Sequence, residues 1–485
     1  MDLCIFALLY LNKYINRNMW KLNKFVPLYI IVFSIFLILI GKTLFSDGMF
    51  MDGLLYASVA KNLSNGIGSF WHLHLTNTFL PQFYEHPPLA FGLQSLFFYV
   101  FGESIYIERI YSLLTFVIVG ILIVSIWNII NNEKQTGWLP LLFWITIPLV
   151  SWCCSNNMLE NTMSVFICLS MLFYLKYINN NKIIYLILIG LMLFLGFLTK
   201  GFTALFPISL PFWYWLINRK GTFLKMLFEL FNITTFTVLP IALLLIIYPS
   251  AREFLMQYFK IQVLNSLNDV VTVESRFFIL KKMFLELIPI LIISTILIIV
   301  NWKRKNNLML SFNNFYFFLF IGLSGVLPIM ISMKQNGFYI LTTFPFFAIA
   351  FCSLVFPFVK PVTDKINTFF SKNIYLKILP FIVLFAAIVY AFSYKGSISR
   401  DEIKINDAYK ILKIVPKGSS VSICKSMWND WGLHGYYCRF GNVSLDASNS
   451  PHQFKIILNN CEAIDNNQFI IVPINTKRYK LYKRK

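Results

Sequence analysis

The sequence predicts an all-α polytopic membrane bundle of about eleven transmembrane helices, with interfacial helices in its first outer loop and a small α/β domain at its C-terminal end. Three observations predict it. Hydrophobic residues make up 58% of the chain and aromatic residues 18%, charged residues only 13%, and the mean hydropathy is +0.67, outside the range of a soluble chain of this length. Apolar windows of about 20 residues, the length that crosses a hydrocarbon core of roughly 30 Å, recur from Phe25 to Tyr394. Beyond Tyr394 the chain turns polar, and short apolar runs alternate with turn residues.

Residues 1–24 form a basic N-terminal segment, assigned to the cytoplasmic side through Lys13, Arg17, Lys21 and Lys24. Its one apolar run, Cys4 to Leu11, is too short to span, and Met1 and Met19 both remain open as the start. A cleaved signal peptide is not expected, because the run from Phe25 to Ile40 is long and no small-residue cleavage site follows. Spans fall near 25–42, 106–130, 138–152, 160–177, 183–199, 202–218, 229–248, 283–301, 313–333, 338–358 and 376–394, giving a membrane domain over 25–394. Alternate loops then collect Lys134, Lys176, Lys182, the clusters Arg219, Lys220, Lys225 and Lys303, Arg304, Lys305, and Lys360 to Lys377. This positive-inside bias accounts for the net charge of +21 without nucleic acid, and places the membrane lipids among the partners.

Two outer segments are long, 43–105 and 249–282. In the first, Leu55, Val59, Ala60 and Leu63 recur at helical spacing, and Pro88 to Phe101 is too short to cross, so both stretches read as helices in the interface. Residues 395–485 read as a soluble α/β domain outside the membrane, with a helix over 401–414 and strands at 420–424, 454–458 and 468–472. Of the eight cysteines, Cys424, Cys438 and Cys461 lie there, where one disulfide can form if the compartment is oxidising. His72 and His74 lie two apart in the outer loop and read as a polar loop pair. No metal site and no cofactor are assigned, and a divalent metal is left open.

No phosphate-binding loop is present, since Gly41-Lys42-Thr43 has Phe36 where the earlier glycine belongs, so an activated substrate must supply the energy. Asp47 and Asp52 stand just beyond the first span. Either can accept a proton from an acceptor hydroxyl, or simply cap a helix. Glu160 emerges on the same face by parity of crossings, and is equally readable as an acid in the first turn of a span, where the helix dipole favours it. His86, Lys200, Arg276 and Lys334 sit at outer ends against the positive-inside trend. Cations there suit a lipid phosphate, or snorkel to headgroups.

Taken in order, Asp52-Gly53 before Tyr56-Ala57, His86-Pro87-Pro88-Leu89, Phe101-Gly102 with Arg109, Glu160 before Phe166, Thr199-Lys200-Gly201, and Tyr339 with Pro345 resemble the polyprenyl-phosphate-dependent glycosyltransferases of the C-type fold. That family includes the aminoarabinose transferases and protein O-mannosyltransferases. The resemblance implies a hexosyl or pentosyl transferase of the cell envelope in a bacterial inner (plasma) membrane. It would move sugar from a polyprenyl-phosphate donor, such as an undecaprenyl phosphate sugar, to a lipid, glycan or protein acceptor on the non-cytoplasmic face. Asp52 would position or deprotonate the acceptor with Glu160 as second acid, and Lys200, Arg276, Lys334 and Tyr339 would hold the carrier phosphate. A single displacement predicts inversion. Two departures stand out: Gly53 replaces the second acid of the family pair, so that either Asp47 supplies the missing carboxylate or nothing does, and His86 replaces a lysine and is charged only if its pKa is raised. The competing classes are a lipid-linked sugar flippase or secondary transporter and a non-catalytic lipid-binding subunit. A transporter wants ionisable groups near the midplane on broken helices, and the chain shows no internal repeat.

Overall fold

The computed structural model describes residues 26–131, 136–268, 270–303, 312–372, 374–448, 450–458, 461 and 467–485. The expected cytoplasmic segment 1–24, Lys134, Arg304 and Lys305 lie outside them. The membrane region begins with α1 (Val26–Phe45), then α2 (Met51–Ser64), α3 (Leu89–Phe101), α4 (Ile107–Asn131), α5 (Trp138–Ile145), α6 (Pro148–Ser155), α7 (Leu159–Asn180) and α8 (Ile184–Lys200). It continues through α9 (Leu210–Asn218), α10 (Phe223–Ile247), α11 (Pro249–Tyr258), α12 (Phe278–Lys303), α13 (Phe312–Val326), α14 (Phe344–Lys372) and α15 (Ile374–Phe392).

Among the described residues, eight helices are long and apolar enough to cross a membrane, or nine if α5 and α6, bent by 79°, form one broken span. The count of eleven is not confirmed among them. Residues 202–218 do not form one helix: two 3₁₀ turns, Gly201–Ala204 and Phe206–Ser209, precede the nine-residue α9, because Pro207 and Pro211 lack the amide hydrogens a continuous helix needs. The last expected span, 376–394, corresponds to the 19-residue α15, of which Lys377–Phe392 is counted as a shorter apolar helix. The bend between α5 and α6 falls at Ile147, held extended (φ −73°, ψ 117°) by the following Pro148. Glu286 of α12 accepts the amide of Leu149 at 2.8 Å, and so satisfies an orphan donor of the buried α6 terminus.

Helices occur at both interfacial positions, in different settings. α3 exposes Leu96, Tyr99, Val100 and Phe101, an apolar face fit for lipid. α2 is enclosed instead, with Gly53 to Asn62 buried, because the C-terminal domain packs over it. That domain contains α16 (Glu402–Leu412), α17 (Trp431–Gly441) and a five-stranded sheet in the order β2-β1-β3-β5-β4, built from β1 (Ser420–Ile423), β2 (Ser444–Asp446), β3 (Phe454–Leu458), β4 (Phe469–Ile471) and β5 (Tyr479–Arg484). β1 runs parallel to β2 and β3, and β5 antiparallel to β3 and β4. Inward residues such as Val421, Leu445, Ile456 and Leu481 meet Ala408, Ile411 and Tyr437 in its core, and Cys424 is disulfide-bonded to Cys461. Cys438 stays a buried thiol.

Polar anchors fix α17 on α2. The buried Lys61 ammonium donates to the carbonyls of Cys438 (2.9 Å) and Arg439 (2.8 Å), and burial lowers its pKa to about 8. Arg439, 2% exposed, pairs with Glu108 at 2.9 Å and also donates to the carbonyls of Glu103 and Ser104. Arg439 is thus both paired and hydrogen-bonded, and Lys61 has its burial offset by two carbonyl acceptors.

Candidate active site

The first turn of α2 carries Asp52, and the helix starts without a side-chain cap: its N-cap is Phe50, in extended backbone. Asp52 is therefore not spent on capping. α2 is instead stapled to the α6–α7 loop, where Phe50 donates its amide to Asn156 Oδ1 (2.8 Å) and Asn157 Nδ2 donates to the Gly53 carbonyl (3.1 Å). A Cβ on Gly53 would stand 1.8 Å from the Asn156 carbonyl oxygen. The departure from the family's acidic pair thus has a steric cause, for no side chain fits at 53 without moving that loop.

The same loop delivers Glu160 to the first turn of α7, where it is fully buried and paired with Lys200 in the last turn of α8. The other carboxylate oxygen, Oε2, is buried with no hydrogen-bond partner among the described residues. The Lys200 ammonium also stands 5.1 Å from the ring centroids of Phe338 and of Tyr339, close enough for cation–π attraction. Gly201 ends α8 at φ +82°, and a Cβ there would stand 1.9 Å from the Tyr258 hydroxyl. The Thr199-Lys200-Gly201 sequence thus lets α8 stop abruptly with its lysine on the cavity wall.

That cavity encloses about 560 Å³. Its polar lining includes Glu85, His86, Lys200, Gln262, Lys334 and Tyr339, and Phe202, Leu205, Phe206 and Ile329 make an apolar flank. Lys334 donates to Gln262 Oε1 (2.7 Å), and Gln262 in turn donates to Glu85. Gln262 lies in a π-helical stretch, Phe259–Leu264, a distortion frequent at functional sites. Asn336 donates to the Tyr339 hydroxyl at 3.3 Å. Desolvation raises the Asp52 pKa to about 6, with Lys200 opposing, Glu160 adding and Lys334 opposing. Glu85 is likewise raised by burial, and Lys334 is lowered by it.

His86, Lys200, Lys334 and Tyr339 therefore line one cavity, and Glu160, paired with Lys200, and Asp52, whose charge feels Lys200, Glu160 and Lys334, join them. Two expected residues do not. Asp47 accepts hydrogen bonds from the Tyr409 hydroxyl and the Gly48 amide, and its neighbour across a β-bridge is Ile398, so it ties the C-terminal domain to the bundle. Arg276 donates to the Ile331 carbonyl at 2.6 Å in an exposed position and does not line the cavity. For His86 the condition for a charge, a raised pKa, is not met. Burial, then Lys200 and Lys334, push its imidazole well below the usual range, and its Nε2 is 2.9 Å from the Tyr56 hydroxyl. It lines the site as a neutral ring. Glu85 and Gln262 were missed. Glu85 directly precedes His86 and was legible from that position; Gln262, in the second outer segment, gave no local signal. Among the described residues no group of three His, Cys, Asp or Glu side chains stands ready to hold a metal ion.

Residues 85–248 match the family model described as dolichyl-phosphate-mannose-protein mannosyltransferase. ArnT from Cupriavidus metallidurans, solved bound to undecaprenyl phosphate, is similar over 93% of this chain and 97% of that chain, at 13% identity and a TM-score of 0.62. Its apo state gives the same score over 96% of that chain. The apo oligosaccharyltransferase of Archaeoglobus fulgidus is similar at a TM-score of 0.52 and 11% identity, over 87% of this chain and 64% of that one. No curated protein matches in sequence. The fold expected from the ordered motifs is the fold found.

Proposed function

We propose that this chain is a membrane glycosyltransferase that moves a sugar from a polyprenyl-phosphate-linked donor to an acceptor hydroxyl or amine reached from the face where Asp52, Glu160 and Lys200 meet. The observation that carries this reading is a largely apolar cavity with Lys200 and Lys334 on its wall, Lys200 paired with the buried Glu160 and both lysines acting on the charge of Asp52 beside them, within the fold shared with the ArnT structures. Lys200 and Lys334 hold the carrier phosphate, with Tyr339 beside them, while the apolar flank takes the first isoprene units. Asp52 accepts the proton of the acceptor nucleophile as it attacks the anomeric carbon. The bond from that carbon to the phosphate oxygen breaks, and the electron pair leaves on polyprenyl phosphate. One displacement inverts the anomeric centre. The fixed cations stabilise the charge that develops on the leaving oxygen, the term that contributes most in a water-poor site.

Glu160 restrains Lys200, and its free oxygen Oε2 points to a further partner in the loaded site, the acceptor or the sugar itself. In this reading the membrane domain is 25–394, residues 395–485 stand outside a bacterial inner membrane, and segment 1–24 lies in the cytoplasm. The flippase or transporter class is not favoured, since Glu160 and Lys200 occupy helix ends on one face rather than the middle of broken helices. The test is transfer of radiolabel from a panel of polyprenyl-phosphate sugars to membrane extract by the purified protein. Wild type transfers label and Asp52→Asn falls by about two orders of magnitude or more at equal expression. If no donor is consumed, or the Asn variant keeps full activity, the reading or its base is wrong.

A further inference from the structure

A second polar cavity lies at the membrane face opposite the Glu160–Lys200 pair, and the transfer chemistry does not use it. α7 starts beside Glu160 and ends at Asn180; at about 1.5 Å per residue it spans roughly the thickness of a hydrocarbon core. Near that far end a cavity of about 150 Å³ is lined by Tyr177, Tyr214, Trp215, Lys220, Lys225 and Glu229. Its charges are segregated by depth. Glu229, 6% exposed, accepts from the hydroxyl of the fully buried Tyr174 at 3.1 Å. Lys220 and Lys225 are exposed at the rim, and Lys225 donates to Asn181 Oδ1 at 2.9 Å.

A buried carboxylate below two exposed cations, with three aromatic walls, is complementary to a zwitterion. An anionic headgroup meets repulsion from Glu229, and a purely cationic group meets it from the lysines. Lys225 and Glu229 are one helical turn apart, about 6 Å of rise, the scale over which an ethanolamine bridge separates phosphate from ammonium. An apolar cleft lined by Phe212, Phe223, Leu227 and Leu230 shares Met226 with the cavity and opens toward lipid, since Leu227 and Phe223 are exposed. We infer that this cavity binds an aminophospholipid of the phosphoethanolamine class, its ammonium on Glu229, its phosphate on Lys220 and Lys225, and an acyl chain in the cleft.

The test is native mass spectrometry of the purified full chain with phosphatidylethanolamine, phosphatidylglycerol and phosphatidylcholine of matched acyl chains. The ethanolamine lipid is expected to be retained about tenfold better than the other two, because only a primary ammonium donates charge-assisted hydrogen bonds to the carboxylate. Glu229→Gln keeps an acceptor for Tyr174 and is expected to abolish that preference. Lys220→Glu, at an exposed position, is expected to weaken ethanolamine lipid binding without touching folding, and decides the matter if Glu229→Gln does not fold. Soluble phosphoethanolamine is expected not to compete at matched concentration, because the cleft holds the acyl chain; equal competition overturns that part. Equal retention of the three lipids by wild type, or unchanged selectivity in the variants, overturns the assignment. The readout is lipid retention, which Asp52→Asn leaves intact, so its failure is separate from failure of the transferase reading.

Discussion

Replacing Lys200 by methionine while keeping Glu160 removes one half of a buried ion pair. Glu160 is fully buried and its Oε2 already lacks a partner among the described residues, so the substitution leaves a carboxylate with neither counter-ion nor its present donor. Breaking a buried pair from one side costs about 3–5 kcal/mol. In Lys200→Met/Glu160→Gln no charge is buried, and what remains is an imperfectly bonded amide worth about 1–3 kcal/mol. The double variant is therefore expected to be more stable than the single by about 2 kcal/mol. Activity follows a different order. Both variants lack the cation proposed to meet the phosphate, and both are expected to lose about 10²-fold or more in turnover, the scale of removing one preorganised donor. Thermal unfolding followed by tryptophan fluorescence in detergent, with transfer measured on the same preparations, separates the two effects. A single variant as stable as wild type, or a double variant with restored activity, would refute the reasoning.

The remaining expectations can be measured on the same protein. With the Asp52 pKa raised to about 6, the competent carboxylate is lost as pH falls, so kcat/KM should be half-maximal near pH 6 and level above it; a profile flat down to pH 4.5 contradicts a base at this position. Gly53→Asp, which restores the family's acidic pair, should lower stability by more than about 2 kcal/mol and abolish transfer, because its Cβ meets the Asn156 carbonyl; a fully active variant disproves the steric account. Reducing the Cys424–Cys461 bridge, which closes a separation of 37 residues, should destabilise the C-terminal domain by about 3–4 kcal/mol, read as earlier proteolysis within 395–485; unchanged protease resistance argues against it.

Much of this was legible because hydrophobic length and local motif carry it. The spans α1, α4, α7, α8 and α10 stand where apolar windows stood, and Asp52, Glu160, Lys200 and Lys334 meet because parity of crossings puts their helix ends on one face. What was not legible depends on distant partners. Asp47 resembles a catalytic acid until Tyr409, 362 residues later, is seen to donate to it. The charge of His86 depends on burial and on two lysines far along the chain. Gln262 has no signature in sequence, since only folding brings it between Glu85 and Lys334. Pro207 and Pro211 break the segment 202–218 into two 3₁₀ turns and a short helix, where apolar composition persists but a continuous helix cannot.

The anchoring of α17 on α2 makes the C-terminal domain a keystone rather than an appendage. Lys61 and Arg439 are cations whose partners lie across the boundary between membrane region and outer domain, and neither can be stripped of them at small cost. A fragment ending near Phe392 would retain every span yet open the seat of Asp52 to water, with Lys61 and Glu108 both abandoned. Heat should therefore melt the two parts as one cooperative unit, and a homologous outer domain grafted onto this bundle will work only if it brings the carbonyls and the guanidinium to the same places.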